Sequence, residues 1–234
     1  MHYLLPAWMP LCHKTTVSEN SCDTINAPQV NIRTHTQVLL AAALLWTSMT
    51  AFAGSLPKGV STLLPAGYAV LLHKRGDVNS DGRADYLVAL HKPDEQGISS
   101  KTGTAPRRPL VLVLQNADGT FVLARRNDHV IFAADQGGQC DPFEEFDEDA
   151  SGFAIKGAYF TVQHSVACGA HWTDHITFRY DATLRDWVFH KRIAEGWVLN
   201  NGSDPDAGAL VPGHRQVITG KGKPVIFFEK YRAK

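Results

Sequence analysis

The stretch LVLVLQNADGTFVLA, residues 110–124, decides the fold class of this chain. Residues 110–115 form an apolar run that ends in Gln115, and residues 120–124 are again rich in strand-forming side chains. Between them, Asn116-Ala117-Asp118-Gly119 has the composition of a tight turn. The stretch therefore predicts a β-hairpin, in which the turn joins two antiparallel strands.

Further strand signals recur along the chain. Ile176, Phe178 and Tyr180 alternate with polar residues, which is typical of a half-buried antiparallel strand. Few segments have the spacing of an amphipathic helix. We therefore predict a mainly β domain, an antiparallel meander that forms a curled sheet or a small sandwich with few helices. Beyond the hairpin, the predicted strands span residues 158–163, 176–180, 187–190 and 224–228.

Residues 54–234 have a length that suits one domain. Glu195-Gly196-Trp197 is interpreted as the end of the main meander. Residues 200–212 are rich in Gly, Asn, Asp and Pro, which favours a loop before the last strand.

Residues 76–85 carry the most specific chemistry in the chain. Oxygen-bearing side chains stand at alternate positions and are followed by a glycine and one more carboxylate. Calcium prefers six to eight oxygen ligands at about 2.3–2.6 Å, and a tight loop supplies them when every second side chain turns inward. We predict a calcium site whose ligands are the side chains of Asp77, Asn79, Asp81 and Asp85 and the main-chain carbonyl of Arg83.

The flanking residues determine the type of calcium loop. An EF-hand requires a bidentate acid at loop position twelve, and Val88 occupies that position when counted from Asp77. Residues 84–90 are rich in strand formers, so we expect the loop to lead into a β-strand. A DxNxDGxxD loop before a hydrophobic strand resembles the calcium loop of FG-GAP and VCBS-type repeats. That resemblance implies the same ligands.

FG-GAP propellers repeat such a unit at a fixed period, whereas this chain contains the loop once. Residues 147–152 imitate its first half, but Ile155 stands where the last carboxylate would be. The single loop, with the lead-in Leu64-Pro65-Ala66-Gly67-Tyr68, is similar to a group of small exported bacterial proteins. The alternative interpretation is a metal-free loop held by the hydrogen bonds of its own Asp and Asn side chains.

Residues 30–53 have the features of a signal peptide. A weakly positive start precedes an apolar run of nine residues, 38–46, and Ala51-Phe52-Ala53 fits the small-x-small cleavage pattern. The run is shorter than the roughly twenty residues that span a membrane. We predict cleavage before Gly54, a periplasmic or secreted location, and no stable membrane insertion after cleavage. Residues 1–29 are interpreted as an untranslated or disordered extension, with a longer leader as the alternative.

Cleavage before Gly54 leaves Cys140 and Cys168 as the remaining cysteines. In an oxidising compartment such a pair is predicted to form one disulfide. The cross-link is worth about 3 kcal/mol in the chain-entropy model. Zinc is the competing interpretation, because His171 and His175 follow Cys168 closely. Their spacing matches no established zinc pattern, however, and histidines four residues apart meet only on a helix.

The charges of the chain balance, with 23 Lys and Arg against 23 Asp and Glu. This balance argues against a nucleic-acid-binding surface, which requires a basic excess. The acidic segment 141–149 is interpreted as a solvated loop anchored by its phenylalanines, with binding of a basic partner or a second cation as the alternative.

The sequence contains no nucleophile elbow, zinc-protease motif, P-loop or dinucleotide-binding motif. We therefore expect an exported, non-catalytic binding module for a protein or an envelope glycan, in which calcium fixes a loop. A periplasmic immunity- or inhibitor-like protein is the alternative. A hydrolase that uses His164, His171 and Asp174 is the third hypothesis.

Overall fold

The first sheet is an antiparallel meander of four strands, each paired with the next along the chain. The turn at residues 116–119 joins its last two strands. There the Gly119 N–H donates to the Asn116 carbonyl at 3.0 Å, and Gly119 has a φ of 82°. The predicted hairpin is confirmed. The strands are β1 (Ala69–Gly76), β2 (Asp85–His91), β3 (Arg108–Gln115) and β4 (Phe121–Ile131).

The second sheet is an antiparallel meander of five strands in chain order. It contains the segments predicted at 158–163, 176–180 and 187–190, each within a longer strand. Its strands are β5 (Gly152–Lys156), β6 (Tyr159–Val166), β7 (His171–Asp181), β8 (Asp186–Leu199) and β9 (Leu210–Thr219).

The structure is a computed structural model that describes residues 55–143, 152–202, 206 and 208–233. All of these belong to one unit, Ala53–Lys234. The predicted N-terminal extension, the signal peptide, its cleavage site and most of the acidic segment 141–149 lie outside the described residues. Within the described part, no helix is both long and apolar enough to cross a membrane.

Helical structure in the described ranges is confined to short segments. Helix α2 (Glu95–Thr102) begins after Asp94, whose side chain accepts the Gly97 N–H at 3.2 Å, and it ends at Gly103 in the left-handed region. This confirms the prediction of a mainly β domain with few helices. The other helical segments are α1 (Lys58–Ser61) and two 3₁₀ turns, Ala134–Gly137 and Phe228–Lys230.

The two sheets share one apolar core. Side chains alternate between the two faces of a strand, so every second residue of a central strand enters this core. Aromatic rings fill the side of the second sheet, where Phe178 lies 5.2 Å from Phe160 and 5.1 Å from Phe228 between ring centroids. The buried members on the central strands include Leu87, Ala89, Leu110, Leu112, Phe160, Val162, Ile176 and Phe178.

The first sheet is buried on its opposite face as well. Val88 and Val111, which alternate with the core residues, are fully buried there. They pack in a second cluster with Val60 of α1 and with Leu63 just after it. Because both faces of β2 and β3 are covered, these strands are apolar at consecutive positions, which accounts for the unbroken apolar run at 110–114.

The last strand differs from the prediction. Strand β9 pairs with β8 from Leu199↔Leu210 to Lys191↔Thr219, so the predicted loop at 200–212 overlaps its start. Residues 224–228 do not form a strand beyond an isolated bridge, Val188↔Phe227.

The predicted end of the meander at residues 195–197 was also wrong, because β8 continues to Leu199. The physical reason is the position of β9 at the edge of its sheet, where most of its side chains are exposed. Such a strand is held by backbone pairing with β8 and needs no apolar face of its own, so an apolar pattern does not reveal it.

Cys140 and Cys168 lie at disulfide-bonding distance, with their Cα atoms 6.1 Å apart and a sequence separation of 28. The pair ties the segment after the first 3₁₀ turn to the turn between β6 and β7. No group of three or more His, Cys, Asp or Glu side chains in the described part is arranged to hold a metal. The zinc interpretation therefore gains no support there.

His164 is the buried polar residue with the least complete hydrogen bonding. Its ring is fully buried and stacks on Phe132, with centroids 4.0 Å apart. The Phe132 N–H donates to His164 Nε2 at 3.2 Å, whereas Nδ1 finds no hydrogen-bond partner among the described residues. Burial, reinforced by the positive charge of Arg192, lowers the pKa of His164 to about 3.

This geometry predicts a loss of stability in acid that depends on His164. The unfolded chain takes up a proton near pH 6.5, but the folded ring does so only near pH 3. The contribution of neutral His164 to the free energy of unfolding is therefore present above pH 6.5. It is lost as the pH falls from 6.5 to 3, at up to about 1.4 kcal/mol per pH unit. Urea unfolding of wild type and His164→Gln should show a difference in stability that shifts in favour of the variant as the pH falls.

His164→Gln keeps an acceptor for the Phe132 N–H but does not titrate. The exposed His214 provides the control, since His214→Gln should leave the pH profile of the wild type unchanged. A difference between wild type and His164→Gln that stays constant from pH 7 to pH 4 would contradict the prediction.

Candidate metal-binding loop

The loop between β1 and β2 is the site that the sequence singled out. Its ends are fixed because Gly76 pairs with Asp85 at the start of the antiparallel ladder. Two of its residues adopt left-handed backbone, Ser80 with a φ of 61° and Gly82 with a φ of 82°. Glycine adopts this conformation readily, whereas it costs free energy at the serine because of its Cβ.

Asp77 organises the inside of the loop. One carboxylate oxygen accepts the N–H groups of Asn79 at 3.3 Å and Asp81 at 3.2 Å, and the other accepts that of Gly82 at 2.8 Å. These bonds wrap the backbone around the Asp77 carboxylate. The arrangement explains why an aspartate is the first residue of the pattern.

Asn79 and Asp81 approach each other at the loop surface. The Asn79 amide donates to an Asp81 oxygen at 2.8 Å. The Arg83 guanidinium forms an ion pair with the same oxygen, and Arg83 Nε donates to the Gln115 carbonyl at 2.8 Å. Within the described structure these contacts account for the loop conformation without a metal.

Asp85 is fully buried and differs from the other predicted ligands. One carboxylate oxygen accepts the Val78 N–H at 3.1 Å, and the other accepts the Gln115 N–H at 3.0 Å. Burial raises the pKa of Asp85 above its ordinary value, these two backbone bonds oppose the rise, and the negative charges of Asp81 and Asp77 add to it. The carboxylate thus links the loop to the end of β3.

Val78 anchors the loop to the second sheet, a contact that the sequence did not indicate. Its side chain is fully buried in the shared core, and its carbonyl accepts the Trp187 Nε1–H at 2.8 Å. Trp187 stands more than a hundred positions away in sequence, so no local pattern could have identified this pair. The only sign of this contact in the sequence is that Val78 is an apolar residue among the polar residues of the loop.

The structure thus gathers Asp77, Asn79 and Asp81 in one loop and places Asp85 beneath it. Asp85 has both oxygens engaged by backbone N–H groups. In the residues described, no set of three or more His, Cys, Asp or Glu side chains is arranged as a metal site. The calcium assignment, including the carbonyl of Arg83, therefore stays a prediction.

The structure contains a second charged cluster, around Arg108, that the sequence did not indicate. Arg108 is buried and donates to Glu95 of α2 at 2.6 Å and 3.0 Å, and it also forms an ion pair with Asp141. Burial opposes the charged form, but the hydrogen bonds to Asp141 and Glu95 outweigh it and raise the pKa of Arg108. Asp141, the first residue of the acidic segment, is therefore part of a structural network.

Phe143, the first phenylalanine of that segment, is buried in the core. The expectation of a phenylalanine anchor is confirmed at this position, and the segment from residue 144 to residue 151 lies outside the described residues.

The residues of the hydrolase hypothesis are not arranged as a catalytic group. Asp174 faces the core, where Arg192 donates to both of its oxygens at 2.6–3.0 Å. His164 pairs with Asp174 across β6 and β7 but is fully buried. His171 is an odd number of positions from Asp174 on the same strand, so it lies on the opposite face of the sheet.

Comparison with known proteins gives no assignment: no family model matches the chain, and neither a curated protein nor a solved structure shows significant similarity to it.

The buried carboxylate of Asp85 should be essential for stability without any metal. Asp85→Ala leaves the N–H groups of Val78 and Gln115 without acceptors, at a cost of about 2–5 kcal/mol in unfolding free energy. Urea unfolding in the presence of chelator measures this loss.

Asp118→Ala is the matched control for that measurement. It removes the carboxylate of the exposed 116–119 turn, which accepts the N–H and the hydroxyl of Thr120, and should cost about 1 kcal/mol or less. Equal losses in the two variants would show that Asp85 has no special role.

Proposed function

We propose that the protein is an exported, non-catalytic binding module whose β1–β2 loop takes up a calcium ion. Its partner would be a protein or an envelope glycan. The observation that carries the calcium assignment is a loop with fixed ends that contains three oxygen-bearing side chains, Asp77, Asn79 and Asp81, with the Asn79 amide in contact with Asp81 and the Asp77 carboxylate accepting the Asp81 N–H. Such oxygens are the ligands that calcium prefers.

The electrostatics of the loop supports a bound cation. Asp81 and Asp77 both add to the raised pKa of Asp85, after burial as the main cause, so their negative charges act on the Asp85 carboxylate. Arg83 offsets part of this charge through its ion pair with Asp81. A calcium ion would relieve the repulsion more completely, because it carries two positive charges and accepts several oxygens at once.

A loop that binds calcium gives the module a rigid surface element. Its two ends are already tied to β3 through Asp85 and to the second sheet through the Val78–Trp187 bond. Calcium would then fix the exposed tip, residues 79–83. A partner that contacts this tip would bind a preorganised surface and lose less conformational entropy on association.

Calcium should raise the melting temperature of the protein. A ligand that binds the folded state alone stabilises it by about 2.7 kcal/mol at a hundredfold excess over its Kd. Thermal unfolding followed by circular dichroism, with calcium and then with chelator, measures the effect. Magnesium should stabilise less, because it requires a smaller octahedral shell and retains its waters.

Asp81→Ala should abolish the calcium response and leave the fold intact, since it removes an exposed ligand and no core contact. The control variant Asp118→Ala also lacks an exposed turn carboxylate and should respond to calcium as the wild type does. Identical melting curves of the wild type with calcium and with chelator would mean that the loop is a metal-free turn.

Export should yield a mature protein that begins at Gly54. The apolar run at 38–46 and the Ala51-Phe52-Ala53 pattern predict cleavage there. Expression of the full chain in a Gram-negative host, followed by N-terminal sequencing of the periplasmic fraction, measures the start. Exported protein that begins before residue 38 would disprove the predicted processing.

A further inference from the structure

An apolar cavity of about 400 Å³ lies beside the start of β8. The turn between β7 and β8 contributes Leu184 to it, and the chain that follows β9 contributes Pro224, Val225 and Ile226. This returning segment is held against β8, because the Phe189 N–H donates to the Ile226 carbonyl at 2.8 Å. The cavity shares no residue with the Asp77–Asp85 loop.

Large apolar side chains remain exposed around this cavity. Leu184 is 46% exposed, Val225 is 57% exposed and Ile226 is 41% exposed. Apolar side chains scattered singly over a surface need no explanation, but several that converge on one cavity indicate a binding site. The lining therefore favours a ligand with an apolar body.

Two unpaired cations stand at the same cavity. Lys221 and Lys223 both line it, and neither side chain makes a hydrogen bond or ion pair in the described part of the chain. A tight turn positions them, in which the Lys223 N–H donates to the Gly220 carbonyl at 3.2 Å. Arg179 also lines the cavity, but its charge is balanced by Asp181 at 2.8 Å.

Gly220 is the residue that permits this turn. A Cβ at that position would stand 2.4 Å from the Phe189 carbonyl oxygen, a contact that real side chains do not make. The chain can therefore return closely along β8 only with glycine here. The close return places the two lysines beside the apolar lining.

The potential at the cavity is positive. Burial lowers the pKa of His190, another lining residue, and the positive charges of Lys191 and Arg179 lower it further. The positive charge that faces a ligand comes from the two lysines, because Arg179 is paired with Asp181. A ligand head group of negative charge is favoured.

We propose that this cavity binds a single-chain anionic amphiphile, with the alkyl chain against Leu184, Val225 and Ile226 and the carboxylate at Lys221 and Lys223. The volume is within the range of about 300–1,000 Å³ that small-molecule sites occupy. A protein partner would need roughly 800 Å² of contact surface on each side, which is far more than this cavity offers. The ligand class is therefore a fatty acid or a similar monoacyl anion.

Isothermal titration of the full chain with dodecanoate, in the presence of chelator, tests the proposal. Dodecanoate should bind once per chain and saturably. Dodecyltrimethylammonium, with the same chain and the opposite charge, should bind at least about tenfold more weakly, as expected when two exposed ion pairs are replaced by repulsion. The double variant Lys221→Met/Lys223→Met should lose about tenfold in dodecanoate affinity.

Matched variants separate the head-group site from general surface effects. Lys101→Met removes an exposed lysine of α2 and should bind dodecanoate as the wild type does. Val225→Asp places a negative charge in the lining and should weaken dodecanoate binding. Val198, which is 53% exposed, does not line the cavity, so Val198→Asp should leave the affinity for dodecanoate unchanged. Circular dichroism confirms that each variant is folded.

Three results would overturn the proposal. They are the absence of saturable dodecanoate binding, equal affinity for the two head groups, and unchanged affinity in the double lysine variant. Saturable binding of an apolar peptide with a free terminal carboxylate, without binding of dodecanoate, would reassign the cavity to a peptide.

Discussion

The burial of β2 and β3 on both faces is the constraint on which the rest of the structure depends. Consecutive apolar side chains in these strands, such as Val111 and Leu112, point to opposite sides of the first sheet and are both fully buried. One side therefore requires the second sheet, and the other requires the N-terminal segment with α1. The domain is layered because a strand of this composition cannot leave either face in water.

Polar groups inside this layered core are almost all paired. Asp85 accepts two backbone N–H groups, Arg108 is matched by two carboxylates, and Asp174 is matched by Arg192. The bonds from Asp85 to Gln115 and from Arg108 to Asp141 join residues at least thirty positions apart, so they help to specify how the elements fit together. The Nδ1 atom of His164 is the exception among buried side-chain atoms in the described residues.

The two proposed binding features differ in how the fold builds them. The Asp77–Asp85 loop is a local structure, closed by its own side chains and fastened at two points to the sheets. The apolar cavity is a tertiary structure, formed where residues 220–226 return along β8. The first feature could be recognised from ten consecutive residues, whereas the second has contributions from three separate segments.

The sequence by itself determined the β class, the hairpin at 110–124, the position of the loop and the pairing of Cys140 with Cys168. The first three features depend on local contacts and patterns, whereas the cysteine pairing was predicted from the two cysteines that remain after the predicted cleavage before Gly54. Only the tertiary structure decided the edge strand β9, the network of Arg108 and the Val78–Trp187 bond. Those features depend on backbone pairing and on partners far away in the chain, which impose no periodic pattern on the residues that form them.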